Sequence, residues 1–233
     1  MRTVFFVAPF LMDATLKFVQ AAASVPGVRL VVLTQDDRSK VPPGALHYGV
    51  ENALDAGVLV AACRDVMRHT GGAHRVIGIL ENAQEVIADV RGALGLPGIS
   101  REIAENFRDK GVMKQVLRDA GIPCARYRRL HSADDGRGFA REVGLPLVLK
   151  PPAGAGCRAT YQVNNPAELE AALAETSPSP AREVLAEEFV QGEEFSFDTI
   201  VLDGKVVFHN ILRYLPGPLD VTRNEWIQWC VLA

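Results

Sequence analysis

The chain has 233 residues, of which 48% are hydrophobic and 23% charged, with a formal net charge of −3. That length is enough for one large or two smaller domains with a sizeable core, and the composition is that of an ordinary soluble globular protein. The slight negative balance gives no electrostatic reason to expect binding to nucleic acid or to an anionic membrane. Cys63, Cys124, Cys157 and Cys230 lie far apart without a CxxC pair. Their spacing argues against a disulfide framework or zinc site and fits a reducing, cytoplasmic compartment. The apolar run Val4–Leu11 is too short to span a membrane, and Asp13, Lys17 and Gln20 follow it.

In chain order, the first hundred residues alternate strand and helix. Thr3–Ala8 is a continuous apolar run, as in a parallel strand covered on both faces. Asp13 is placed to cap a helix that runs to about Ser24, where Pro26-Gly27 stops it. Val28–Leu33 reads as a second strand, Asp55–His69 as a helix and Arg75–Leu80 as a third strand. Asn82 has Glu85 three residues on, the spacing of a capping box, and starts another helix. Repeated strand–helix units predict an α/β domain with a doubly wound parallel sheet. The boundary falls at Leu96-Pro97-Gly98, giving domains 1–98 and 99–233.

The pattern then changes. Helices over Ser100–Phe107 and Lys110–Ala120 end at Gly121-Ile122-Pro123, and a strand at Arg126–Leu130 precedes a helix opened by Ser132 and Asp135. Pro146–Lys150 and Ala159–Val163 read as strands, with Ala159, Tyr161 and Val163 facing one way. Asn165-Pro166 with Glu168 is a helix start: cap, proline in the first turn, acid at the third position. Glu183–Val190 is a further strand. Glu194–Leu202 and Lys205–Arg213 flank Asp203-Gly204, a strong short hairpin signal. This half mixes helices with antiparallel strands.

Its chemistry gathers between residues 146 and 194. Lys150 ends an almost uncharged strand, and Ala153-Gly154-Ala155-Gly156-Cys157 follows as a small-residue loop. Such a loop lets backbone N–H groups approach an anion, and a lysine at its root adds a mobile charge. Alone the loop is more often a tight turn. It is neither a Walker A loop nor a dinucleotide GxGxxG, since no Gly-Lys-Ser/Thr and no helix follow. Lys110 would supply a second cation, whereas Lys114 reads as part of a solvated helix face. Glu187-Glu188-Phe189-Val190 ends a strand whose backbone could meet the edge of an adenine, with Phe189 and Val190 over the ring. Glu194 could accept from ribose hydroxyls. Individually these glutamates read as a solvated edge; together, after this loop, they point to a nucleotide. Thr3–Ala8 leads into Pro9-Phe10-Leu11 rather than glycines, against a Rossmann oxidoreductase.

The order Asp109-Lys110, Ala120-Gly121-Ile122-Pro123, Leu147 to Gly156, Glu187-Glu188-Phe189-Val190 and Gly192-Glu193-Glu194 closely resembles the ATP-grasp superfamily. The nearest branches are its carbamoyl-phosphate-synthase-like and L-amino-acid-ligase-like members. The motifs are specific only as a set, and the likeness covers most of the chain. The resemblance implies a pre-ATP-grasp domain over 1–98, then an incomplete ATP-grasp domain with a lid subdomain at about 122–190 and the start of another at about 191–233. It implies that Lys110 and Lys150 contact ATP phosphates under a lid of Gly154, Ala155, Gly156 and Cys157. Glu187, Glu188, Phe189 and Val190 then read adenine, and Glu194 holds the ribose. Glu81, just past a strand's carboxyl end, becomes a candidate substrate residue, against the plainer reading of a helix-start acid.

The resemblance further implies an ATP-dependent carboxylate–amine or carboxylate–thiol ligase using an acyl phosphate, with ATP and Mg2+ as cofactors. Its partners would be small carboxylates and amines, and a homodimer is compatible with it. Family members place their magnesium carboxylates and catalytic arginine well after the ribose glutamate. The expectation is therefore that no residue of this chain holds the metal. Val231-Leu232-Ala233 reads as a strand cut short, and the 233 residues as an inactive part of a longer enzyme. The alternative is an ATP-binding or scaffold module that catalyses nothing.

Overall fold

A computed structural model describes residues 1–154, 159–224, 226–227 and 230–232 of the chain. The chain divides into two compact units, Met1–Asp109 and Lys110–Ala233.

The first unit is built on alternation within apolar strands. β1 (Arg2–Val7), α1 (Asp13–Ala23), β2 (Val28–Thr34), β3 (Ala45–Gly49), α2 (Ala56–Thr70), β4 (Arg75–Ile77), α3 (Gln84–Leu94) and α4 (Arg101–Arg108) follow in order. The strands form a parallel sheet in the order β3-β2-β1-β4. Phe5, Val7, Val31 and Leu33 point to one face, where Leu59 of α2 and Ile87 and Val90 of α3 close over them. Phe6, Ala8, Leu30 and Val32 point to the other, against Val19 of α1. Side chains of this size gain roughly 1.5–3 kcal/mol each on full burial, so a sheet apolar on both faces draws helices to both. The doubly wound reading holds.

Several local expectations do not. β3 has no clear sequence signal: Ala45-Leu46-His47-Tyr48-Gly49 is a strand because it pairs with β2. β4 stops at Ile77, three residues early. The residue at the start of α1 is Met12, with no side-chain cap, and Asp13 sits in the first turn, where its carboxylate still meets the helix dipole. Asn82 lies inside a 3-10 turn, Glu81–Ala83, and α3 begins at Gln84 without a side-chain cap. The Gln84 amide N–H group instead donates to the Gly78 and Leu80 carbonyls at 3.0 Å each. Helix α4 packs on α3 and counts with the first unit.

The second unit opens with α5 (Lys110–Asp119), β5 (Tyr127–Leu130), α6 (Ala133–Val143), β6 (Leu147–Lys150), β7 (Tyr161–Val163), α7 (Pro166–Thr176) and β8 (Val184–Glu188). Its antiparallel sheet runs β5-β8-β6-β7. Leu130, Leu147, Leu149, Val163, Val184 and Ala186 turn one face to Phe139 of α6 and Leu169 and Leu173 of α7. The caps here are as read. Ser132 Oγ accepts from Asp135 N–H at 3.2 Å, and Asn165 Oδ1 from Glu168 N–H at 3.0 Å. Ala159, expected in a strand, has φ of 52° and belongs to a turn. A second sheet follows, in the order β11-β10-β9: β9 (Phe195–Leu202), β10 (Lys205–Leu215) and β11 (Cys230–Leu232), with α8 (Pro218–Arg223) between the last two. Asp203 and Gly204, at φ 50° and 75°, form the hairpin turn, the left-handed pair such turns require.

Candidate functional site

The chemistry sits on the second face of the β5-β8-β6-β7 sheet. Because strand side chains alternate, placing Leu147 and Leu149 in the core turns Val148 and Lys150 the other way. By the same rule Val184 and Ala186 face the core while Leu185 and Glu187 do not. In the β6–β8 register Val148 faces Glu187 and Lys150 faces Leu185, so Lys150 and Glu187 are diagonal neighbours.

Lys150 Nζ donates to Glu187 Oε2 at 2.8 Å. The Glu187 side chain is 9% exposed, and its other oxygen, Oε1, lies 3.5 Å from Lys114 Nζ. Lys114 is 14% exposed and Lys150 21%. The expectation of a solvated Lys114 is therefore wrong. Lys114 follows Lys110 by four residues, one helical turn, and α5 turns this face toward the sheet. That spacing was the available signal. Oε1 is buried and finds no hydrogen-bond partner among the described residues.

Lys110 is held at the root of the small-residue loop. Its backbone N–H donates to the Pro152 carbonyl at 2.9 Å and its Nζ to the Gly154 carbonyl at 2.8 Å. Gly111 keeps this end of α5 close to β5: a Cβ there would stand 2.7 Å from Arg129 Nη2. Arg129 in turn donates to Glu183 Oε2 at 2.6 Å. The other predicted loop residues, Ala155, Gly156 and Cys157, lie outside the described residues.

Glu188 points away from the lysines. Its Oε1 accepts from Arg126 N–H at 2.8 Å and its Oε2 from Arg126 Nε at 2.6 Å. The Arg126 backbone N–H first, then its guanidinium, hold the Glu188 carboxyl below the usual range. The Phe189 N–H is also used, donating to the Pro146 carbonyl at 3.1 Å.

Phe189, Val190 and Glu194 line a cleft of about 520 Å³ together with Tyr214, Gly217 and Asp220. Burial, then the Asp220 carboxylate, push the Glu194 carboxyl upward. Nearby, Arg213 donates to Glu193, and its guanidinium lies 5.9 Å from the centre of the Phe195 ring. Asp220 and Arg213 were not foreseen; both line this cleft, from α8 and from β10. Glu81, in the first unit, accepts from Arg108 Nη1 at 2.7 Å. Among the described residues no group of three or more His, Cys, Asp or Glu side chains is placed to hold a metal, and no helix is long and apolar enough to cross a membrane.

Cations on one sheet face, a loop at their edge and a carboxylate-lined cleft form a set suited to a phosphorylated ligand. The family model described as the phosphoribosylglycinamide synthetase ATP-grasp (A) domain matches residues 108–212. Over residues 108–212 the chain is thus similar to an ATP-grasp domain. The ATP-grasp match covers α5 through most of β10, and so includes every cation and carboxylate just described apart from Glu81, Arg213 and Asp220. The L-arginine-specific L-amino acid ligase of Bacillus subtilis is 24% identical over 173 residues, 72% of this chain and 41% of that protein. Among solved structures, the L-amino acid ligase of Bacillus licheniformis has a TM-score of 0.74 at 21% identity, covering 92% of this chain and 50% of that one. The N5-carboxyaminoimidazole synthetase of Staphylococcus aureus, complexed with ADP, has a TM-score of 0.72 at 14% identity, covering 96% and 60%. The chain spans less than half the length of these curated relatives and about half that of the ATP-grasp structures.

Proposed function

We propose that this chain carries the ATP-binding end of a carboxylate–amine or carboxylate–thiol ligase. Lys110 and Lys150 would meet the phosphates, with the loop from Gly154 to Cys157 closing over them. Phe189 and Val190 would cover the adenine, and Glu194 would accept from the ribose. Glu188, whose side chain and N–H are both committed to Arg126, leaves only its backbone carbonyl for the base, and Glu187 acts on the nucleotide through the lysines it holds. The observation that carries this reading is the pair of shielded lysines on one buried carboxylate. Such a cluster has cationic charge to spare, and a polyphosphate needs it.

In the reaction, a carboxylate oxygen of the substrate attacks the γ-phosphorus of ATP, and the bond to the bridging oxygen breaks to release ADP. The amine or thiol then attacks the acyl carbon, and phosphate leaves with the C–O electron pair. The lysines balance charge that builds on the phosphoryl oxygens, and exclusion of water protects the acyl phosphate. Magnesium, bound to ATP, would supply further charge neutralisation; no residue of this chain is assigned to it. The substrates are small carboxylates and amines, and the setting is the cytoplasm. The 233 residues by themselves are expected to bind ATP without turning it over.

The test is calorimetric titration of the chain with ATP, followed by a phosphate-release screen over amino and hydroxy acids. Acceptor-dependent release of ADP and phosphate establishes the ligase. ATP binding without turnover on any acceptor favours the non-catalytic module, and no ATP binding at all ends both readings.

A further inference from the structure

We propose that Lys114 is a positioning residue for phosphate binding: it is the standing counter-ion of Glu187, and it frees Lys150 to leave that carboxylate for a phosphate. The inference rests on the reading of this site as a nucleotide site. The Glu187 side chain is almost fully buried and has a lysine at each oxygen, Lys150 Nζ at 2.8 Å from Oε2 and Lys114 Nζ at 3.5 Å from Oε1. The first distance is that of a hydrogen bond. The second is an ion pair too long to be a good one, which leaves Oε1 without a hydrogen-bond partner among the described residues.

One lysine would satisfy one carboxylate. With only Lys150 present, a phosphate that drew it away would strand a buried negative charge beside an incoming polyanion, an arrangement that opposes binding. With Lys114 already in place, Lys150 can move while Glu187 remains paired. The short approach that completes the exchange is available, because Oε1 has no competing donor among the described residues. Lys114 can supply it by moving its side chain alone. The start of its helix is tied down at the Pro152 and Gly154 carbonyls, and the Lys114 carbonyl accepts from Cys124 Sγ at 3.7 Å.

The test compares ATP with adenosine, since a residue that serves only the fold would affect both. By calorimetry on the 233-residue chain, Lys114→Met should weaken ATP binding about tenfold, with adenosine affinity changed less than about twofold. Lys114→Arg should restore most of the ATP affinity, because it keeps the charge. In a Glu187→Gln background there is no carboxylate left to hold, so Lys114→Met should then change ATP affinity by less than about twofold. Lys114→Gln carries the same expectation and takes the place of the methionine variant if that chain does not fold. Equal losses for ATP and adenosine, or the same ATP loss with and without the Glu187 carboxylate, would overturn the proposal. If the unmodified chain binds ATP and the Lys114 variants match it, only this inference falls. If the unmodified chain binds no nucleotide, the functional reading falls with it.

Discussion

The parallel sheet of the first unit and the β5-β8-β6-β7 sheet of the second are each four-stranded, yet they use their faces differently. In the first, Phe5 and Phe6 point to opposite faces and both are buried among apolar groups. In the second, Leu149 enters a core while its neighbour Lys150 joins a charged cluster. A sheet covered by hydrocarbon on both faces can do little beyond holding its shape. A sheet that spends one face on stability has the other free for charge, held at fixed spacing by the ladder. Chemistry follows from the second arrangement.

The comparison can be broken at its apolar end first. Phe5→Ala, at a position with no exposure, should cost about 3–5 kcal/mol of unfolding free energy in urea; a loss below about 1 kcal/mol would mean that the first core is not packed as described. Next comes the charged face. Lys150→Ala should weaken ATP binding about tenfold to a hundredfold, or roughly 1.5–3 kcal/mol. Its melting temperature should stay near that of the parent chain, because Lys114 still faces Glu187. A large drop in melting temperature with unchanged ATP affinity would assign the pair to stability alone. Lys114→Ala should fall close behind it, contrary to the expectation from helix-face reasoning.

Smaller effects sharpen the contrast. Gly111→Ala would shift the flexible Arg129 guanidinium, 2.7 Å from the new methyl, from its place beside Glu183, at less than about 1 kcal/mol in thermal unfolding. Smallest is Glu194→Gln. The raised Glu194 carboxyl means the folded state binds its proton more tightly than the unfolded chain does. That contribution to stability is present below the ordinary value of 4.5 and is lost as pH rises above it. The glutamine variant should therefore lose this component of the pH dependence and be slightly favoured at neutral pH. A variant curve parallel to the parent's between acid and neutral pH would contradict the assigned cause.

Much of the architecture could be read from local signals. The apolar runs of β1 and β2, the Asn165–Glu168 cap and the Asp203-Gly204 turn each depend on neighbours in sequence, and each is present. β3 was missed because its apolar content is slight and its strand character comes from pairing with β2. At the site, the sequence singles out Lys150 and Glu187 without indicating that they meet. Lys150 and Glu187 meet because of an antiparallel register across 37 positions. No local pattern encodes that register. Lys114 was misread for a different reason: judged alone it is an ordinary surface lysine, whereas its four-residue spacing from Lys110 places it on the helix face turned to the sheet. Asp13 and Asn82 show the opposite error, since both have the right chemistry for a cap but lie one position inside α1 and within a 3-10 turn.

The β9–β10 hairpin carries a consequence for how the chain behaves in bulk. Phe195, Phe197, Ile200, Val201, Leu202, Val206, Val207, Phe208 and Ile211 are each more than half exposed, and they alternate to both sides of the ribbon. β9 also stands at the edge of its sheet, where backbone groups can template another strand. Whether they do so is a matter of mass action, with dilution keeping molecules apart and crowding pairing them. Asp198 is the one charged side chain in β9, so electrostatic repulsion along that edge rests on a single carboxylate. Self-association of this 233-residue species is therefore expected to rise with protein concentration and with ionic strength.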